Sequence, residues 1–133
     1  MSKMFLPDTN VLIDMLNGSR QKLRRELAAN HQVCLSLFVE GEFRAGLSDT
    51  ARSRAAERSL VEFTALPNVI QAVPALSVAK RYGALLHLLL SKGRPIPTND
   101  IWIAAHALEL NATLVTADPH FNEIPLLDML FVE

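Results

Sequence analysis

Phe5-Leu6-Pro7-Asp8-Thr9-Asn10-Val11-Leu12-Ile13-Asp14-Met15-Leu16 is the stretch on which the reading of the whole chain turns. A short apolar run ends on an acid, and helical spacing then takes over through Val11, Leu12 and Met15. Asp8 therefore falls where a strand hands over to a helix. In open α/β sheets ligands bind outside the carboxyl ends of the strands, which makes an acid at that place a candidate for chemistry. Asp is also a common helix cap, and this stretch by itself leaves both roles open.

Outward from it, strand-like and helix-like stretches alternate, with no internal repeat and no low-complexity linker. Strands are predicted over residues 4–6, 31–35, 68–73, 113–116 and 130–132. Helices are predicted over residues 9–16, 19–29, from a cap at Ser36 to about Leu47, over 50–66 and 75–91, and from Thr98 or Asn99 through Leu108. Asn17-Gly18 closes the first helix, and Lys92-Gly93-Arg94-Pro95-Ile96-Pro97 forms a loop. Such alternation implies an α/β fold with a mostly parallel sheet.

At 133 residues, 50% hydrophobic and 20% charged, the chain fills one core, and we expect a single domain over residues 1–133. No apolar run reaches membrane-spanning length, and residues 1–6 are too short and too soon interrupted by Pro7 and Asp8 to act as a signal peptide. The expected location is the cytoplasm, with no membrane partner. Cys34, the only cysteine, lies in an apolar segment and is expected to be a buried small hydrophobe. The net charge of -1 hides an uneven distribution: every Lys and Arg precedes Pro95, and Asp100, Glu109, Asp118, Glu123, Asp128 and Glu133 follow it. An acidic pole of this kind suits a cation, and basic helices elsewhere suit a polyanion.

Three further acids fall in places like that of Asp8. Glu40 and Glu42 lie two residues apart on one helix and so point to nearly opposite sides. Glu40 has Arg44 at i+4, the spacing of an exposed ion pair, whereas Glu42 has Phe38, Val39, Ala45 and Gly46 around it; Glu42 is thus the expected inward acid. Asp100 opens a helix and is in line with Ile103, Ala104 and Ala107, although it could simply complement the positive helix end. Asp118 follows the strand Thr113-Leu114-Val115-Thr116 and precedes Pro119, which also makes it a good helix cap.

In a parallel sheet these four positions share one edge. Carboxylates gathered there repel one another unless something positive sits among them. A hard divalent cation meets that need, and oxygen-only ligation favours magnesium or manganese, while the single Cys and scattered His argue against zinc. Such an ion activates water and stabilises phosphoryl charge, and no P-loop, dinucleotide glycine pattern or Ser-His-Asp spacing competes, so the inferred reaction is phosphodiester hydrolysis. Asn10 and Thr116 could orient the carboxylates or equally satisfy local backbone.

These motifs, Leu6-Pro7-Asp8-Thr9-Asn10-Val11-Leu12-Ile13, Gly41-Glu42-Phe43-Arg44-Ala45-Gly46, Asn99-Asp100-Ile101-Trp102-Ile103-Ala104-Ala105-His106-Ala107 and Leu114-Val115-Thr116-Ala117-Asp118-Pro119-His120-Phe121, resemble in order those of the PIN-domain ribonucleases, specifically VapC-type toxins of bacterial toxin–antitoxin pairs. The resemblance implies a three-layer α/β/α domain with a mostly parallel central sheet, and cleavage of structured cellular RNA with Mg2+ or Mn2+. Asp8, Glu42, Asp100 and Asp118 match the family's acids, and Asn10 and Thr116 its polar helpers. It further implies a homodimer neutralised by a small antitoxin that lies across the active-site groove. Pro7 departs from the apolar residue usual before the first acid.

The four histidines lack ligand spacing and read as surface or satisfied core, with His120 nearest the acids and able to touch RNA. Trp102 reads as packed, with base stacking the alternative. Arg20, Lys22, Arg24, Arg25, Arg44, Arg52, Arg54 and Arg58 could bind phosphates. Two competing functions are a catalytically silent PIN-like RNA- or protein-binding module and a haloacid-dehalogenase-like phosphatase. The latter expects a second acid where Asn10 stands.

Overall fold

Five parallel strands form the centre of the structure, a computed structural model that describes residues 3–133. Met1 and Ser2, which open the stretch weighed above as a leader, lie outside the described residues. In chain order the elements are β1 (Met4–Pro7), α1 (Thr9–Asn17), α2 (Gln21–Asn30), β2 (Gln32–Ser36), α3 (Leu37–Ala45), α4 (Ala51–Thr64), β3 (Val69–Ala72), α5 (Val78–Ser91), α6 (Thr98–Leu110), β4 (Thr113–Thr116), a 3-10 turn (Pro119–Glu123) and β5 (Met129–Phe131). The strand order is β3-β2-β1-β4-β5, every pair parallel. Parallel neighbours need long crossovers, and the helices supply them, flanking the sheet.

The chain runs outward from β1 to β2 and β3, then returns past β1 to lay down β4 and β5. The direction of winding thus reverses between β1 and β4, which opens a crevice at their carboxyl ends. Register there is set by Phe5 opposite Thr113, Leu6 opposite Leu114 and Pro7 opposite Val115. Proline has no N–H to give a ladder, but Pro7 is the last residue of β1, and the Asp8 N–H resumes the pairing by donating to the Val115 carbonyl at 2.9 Å. The strand accordingly runs one residue further than predicted.

The core is apolar along the central strands, with Leu6, Val33, Leu35, Leu114 and Val115 all buried. Helix α6 is buried at Ile101 and at five consecutive residues from Ile103 to Ala107, and its alanines let neighbouring elements approach closely. Cys34 is buried as expected, and that burial pushes its thiol up to about 12. Among the described residues no helix is long and apolar enough to cross a membrane.

Boundaries differ from the sequence reading where tight turns end the elements. Helix α3 stops at Ala45, because the Gly46 and Leu47 N–H groups bond to the carbonyls of Phe43 and Arg44 in a tightened last turn. Helix α5 begins at Val78, after a turn in which the Val78 N–H donates to the Ala75 carbonyl. Strand β5 starts at Met129, because the Leu114 N–H donates to Asp128 and the Val132 N–H to Thr116, which fixes its register on β4.

Candidate active site

Asp8 directly follows β1 and is buried. Its Oδ1 accepts the Val11 N–H at 2.9 Å and caps α1, while Oδ2 accepts the hydroxyl of Thr116. The two roles left open by the sequence thus coexist, one on each oxygen. Thr116, fully buried at the end of β4, also accepts the Asp118 N–H at 3.0 Å. A hydroxyl has one proton to give and lone pairs to receive, so one side chain ties the carboxylate of β1 to the backbone beyond β4. Asp118 in turn caps the 3-10 turn: its Oδ1 accepts the His120 N–H at 2.9 Å and lies 3.1 Å from His120 Nδ1.

Asp100, half-buried in the first turn of α6, and Glu42, on α3, complete the group. All four acids line one open cleft of about 370 Å³, together with Thr9, Asn10, Ile13 and Pro97. No lysine or arginine is among these walls. Burial raises the pKa of Asp8 against the opposing hydrogen bonds from Thr116 and Val11, with the charges of Asp118 and Glu42 adding to the rise. Asp100 is pushed up to about 6, by burial first and then by the carboxylates of Asp118, Glu42 and Asp8. Ligating atoms of Asp100, Asp118 and His120 all lie within 4.8 Å of one another.

Glu42 does not take the inward position expected of it. It reaches the cleft, but it is exposed and does not face the interior. Helix α3 buries Val39 and Phe43, and Glu42 sits on the flank of that stripe. Glu40 is the more covered acid, bonded to Arg44 at 2.9 Å and to Gln71 at 3.1 Å. Asn10 is exposed on the cleft wall, whereas Thr116 binds both a carboxylate and a local N–H.

His120, expected from the sequence to lie nearest the acids but given no ligand role there, has a ring nitrogen within that cluster. His106 is buried, with Nδ1 2.7 Å from the Ser36 hydroxyl, and burial lowers its pKa. Trp102 is stacked with Tyr82, ring centroids 3.7 Å apart, and with Phe38 at 5.2 Å, the packed arrangement expected of it.

The PIN domain family model matches residues 5–127. The chain is 32% identical over 116 residues to Ribonuclease VapC1 of Haemophilus influenzae, covering 84% of each protein. Its fold is similar to that in the crystal structure of VapBC2 from Rickettsia felis bound to a DNA fragment from their promoter, with a TM-score of 0.86, 28% identity and coverage of 98% of this chain and 99% of that one. VapBC-1 from nontypeable Haemophilus influenzae is similar at a TM-score of 0.82 and 26% identity, over 96% of this chain and 97% of that one.

Proposed function

Because the chain belongs to the PIN-domain family, we propose that it is a metal-dependent endoribonuclease, the toxin of a toxin–antitoxin pair, that hydrolyses phosphodiester bonds of structured cellular RNA. The observation that carries this reading is the convergence of Asp8, Glu42, Asp100 and Asp118 on a cleft whose walls include no lysine or arginine. The raised pKa values of Asp8 and Asp100 reflect burial and that crowding, and a hard divalent cation would make the ionised forms favourable.

The donor set fits magnesium or manganese, since the four carboxylates offer oxygen only. Asp8, Asp100 and Asp118 would hold the ion, with Glu42 contributing from the exposed flank. When bound, such an ion lowers the pKa of attacking water and stabilises charge on the phosphoryl group. The chain's part is to keep the carboxylates in place. Thr116 holds one oxygen of Asp8 and the backbone of Asp118, and the Val11 N–H holds the other oxygen of Asp8. Asn10, on the cleft wall, supplies a polar group for orienting what binds there.

The named activity of the Haemophilus relative supports RNA as substrate, and the likeness to VapBC complexes supports a small antitoxin as partner. In this reading the chain is a single-domain cytoplasmic protein that forms a homodimer. The test is RNA cleavage by the purified protein with magnesium or manganese, with EDTA, and with Asp8→Asn or Asp100→Asn. Cleavage should require both the ion and the acids, and activity that survives chelation and substitution rejects the mechanism. A silent binding module would retain RNA uncut in every arm.

A further inference from the structure

Joined to the acidic cleft through the contact between Asp118 and His120 lies a second recess of about 310 Å³. Arg94, Pro95 and Ile96 wall one side, and Pro119, His120 and Glu123 the other. We infer that this recess receives one ribonucleotide unit flanking the cut, with Arg94 on its phosphate and His120 Nε2 on its 2′-hydroxyl. The inference rests on the endoribonuclease reading above and adds to it a subsite and a means of telling RNA from DNA.

The charge of the recess comes from which of its own ions are paired. Arg20, Arg44 and Arg54 each bond a carboxylate within 3.2 Å, and Arg81 is paired with Glu109. Among the described residues Arg94, like Arg24, Arg25, Arg52 and Arg58, has no carboxylate within 4 Å, and of these five it alone lines the recess. The one acid on the wall, Glu123, is matched by Lys92, whose Nζ lies 4.0 Å from its carboxylate and donates to its carbonyl at 3.2 Å. A guanidinium left without an anion beside a proposed phosphodiester-cutting centre suits a backbone phosphate, which it can grip with two parallel N–H donors.

The walls are held in advance. The Arg94 N–H donates to the Leu89 carbonyl at 2.9 Å, Pro95 restricts the backbone, and Ile96 is buried. Opposite, Phe121 is buried next to His120, and Pro119 starts the 3-10 turn. The ring of His120 is also oriented. Its Nδ1 lies 3.1 Å from Asp118 Oδ1, an oxygen that only accepts, so Nδ1–H is turned to that carboxylate. That leaves Nε2 for the ribose 2′-hydroxyl, a group that both donates and accepts and that DNA lacks.

The experiment uses the Asp100→Asn protein, expected to leave RNA uncut, and measures anisotropy of labelled oligouridylate and oligodeoxyuridylate over a range of salt in magnesium. Arg94→Ala should weaken both oligonucleotides and flatten the slope of log K against log salt by about 0.7, one single-strand phosphate. Arg94→Lys should retain the slope. His120→Ala should weaken oligouridylate by about 3–10-fold, the loss of one hydrogen bond, and leave oligodeoxyuridylate unchanged. The inference is overturned by absent oligouridylate binding, an unchanged slope in Arg94→Ala, or equal loss for both oligonucleotides in His120→Ala. If the native chain still cuts RNA with metal, the subsite alone has failed; if it cuts none, the endoribonuclease reading has failed with it.

Discussion

Thr116 donates to Asp8 and accepts from the Asp118 N–H, so the isosteric change Thr116→Val removes both bonds at nearly constant volume. Groups that hold metal ligands in place carry effects of about 10–100-fold, and RNA cleavage by Thr116→Val should fall by that factor with weaker calorimetric manganese binding. Asp100 yields a pH prediction. Its carboxyl sits near 6 in the metal-free fold against an ordinary 3.8, so its contribution to stability is full below about 3.8 and is lost as pH rises through about 6. In EDTA at pH 7, Asp100→Asn should therefore be more stable than the native chain, by on the order of 1 kcal/mol once solvent screening is allowed for. The difference should vanish below about pH 4 in thermal melts, and manganese affinity of the native chain should decline as pH falls through about 6 because protons compete.

At the scale of elements, α6 presents Asp100 from its first turn while burying Ile101 and five consecutive residues from Ile103 to Ala107. Ile101→Ala should cost about 2–5 kcal/mol in urea unfolding, through the cavity left next to the acid. Trp102 lies against Tyr82 and Phe38, so Trp102→Phe should lower stability yet leave RNA cleavage within about twofold; a base-stacking role would instead forfeit about 1–3 kcal/mol of RNA binding. The strand-to-helix switch at Asp8 and the Asp118-Pro119 cap were legible because each depends on a few adjacent residues. The start of α5 at Val78 was less so, since the turn before it is closed by backbone bonds that leave no side-chain pattern. The relative depth of Glu40 and Glu42 was misjudged because Gln71, on β3, helps to cover Glu40 across the tertiary structure.

For the whole molecule, binding of an ion by the folded chain alone must raise its stability. At a hundred times its dissociation constant, manganese should add about 2.7 kcal/mol, a Tm rise on the order of 10 °C. Asp8→Asn should abolish that rise while leaving the chain folded, and an equal rise in the variant would place the ion elsewhere. The alternation of strands and helices, the acid at each turn and the apolar runs of the central strands were written locally, because hydrophobic period and capping chemistry act over a few residues. Which acids meet was decided by strand order. Asp8 and Thr116 are 108 positions apart, and they touch because β4 returns to pair with β1 rather than with the outer edge. That choice depends on long-range burial and pairing across the sheet, and no window of sequence carries it; nor does any window show that Arg94 and His120 face one recess.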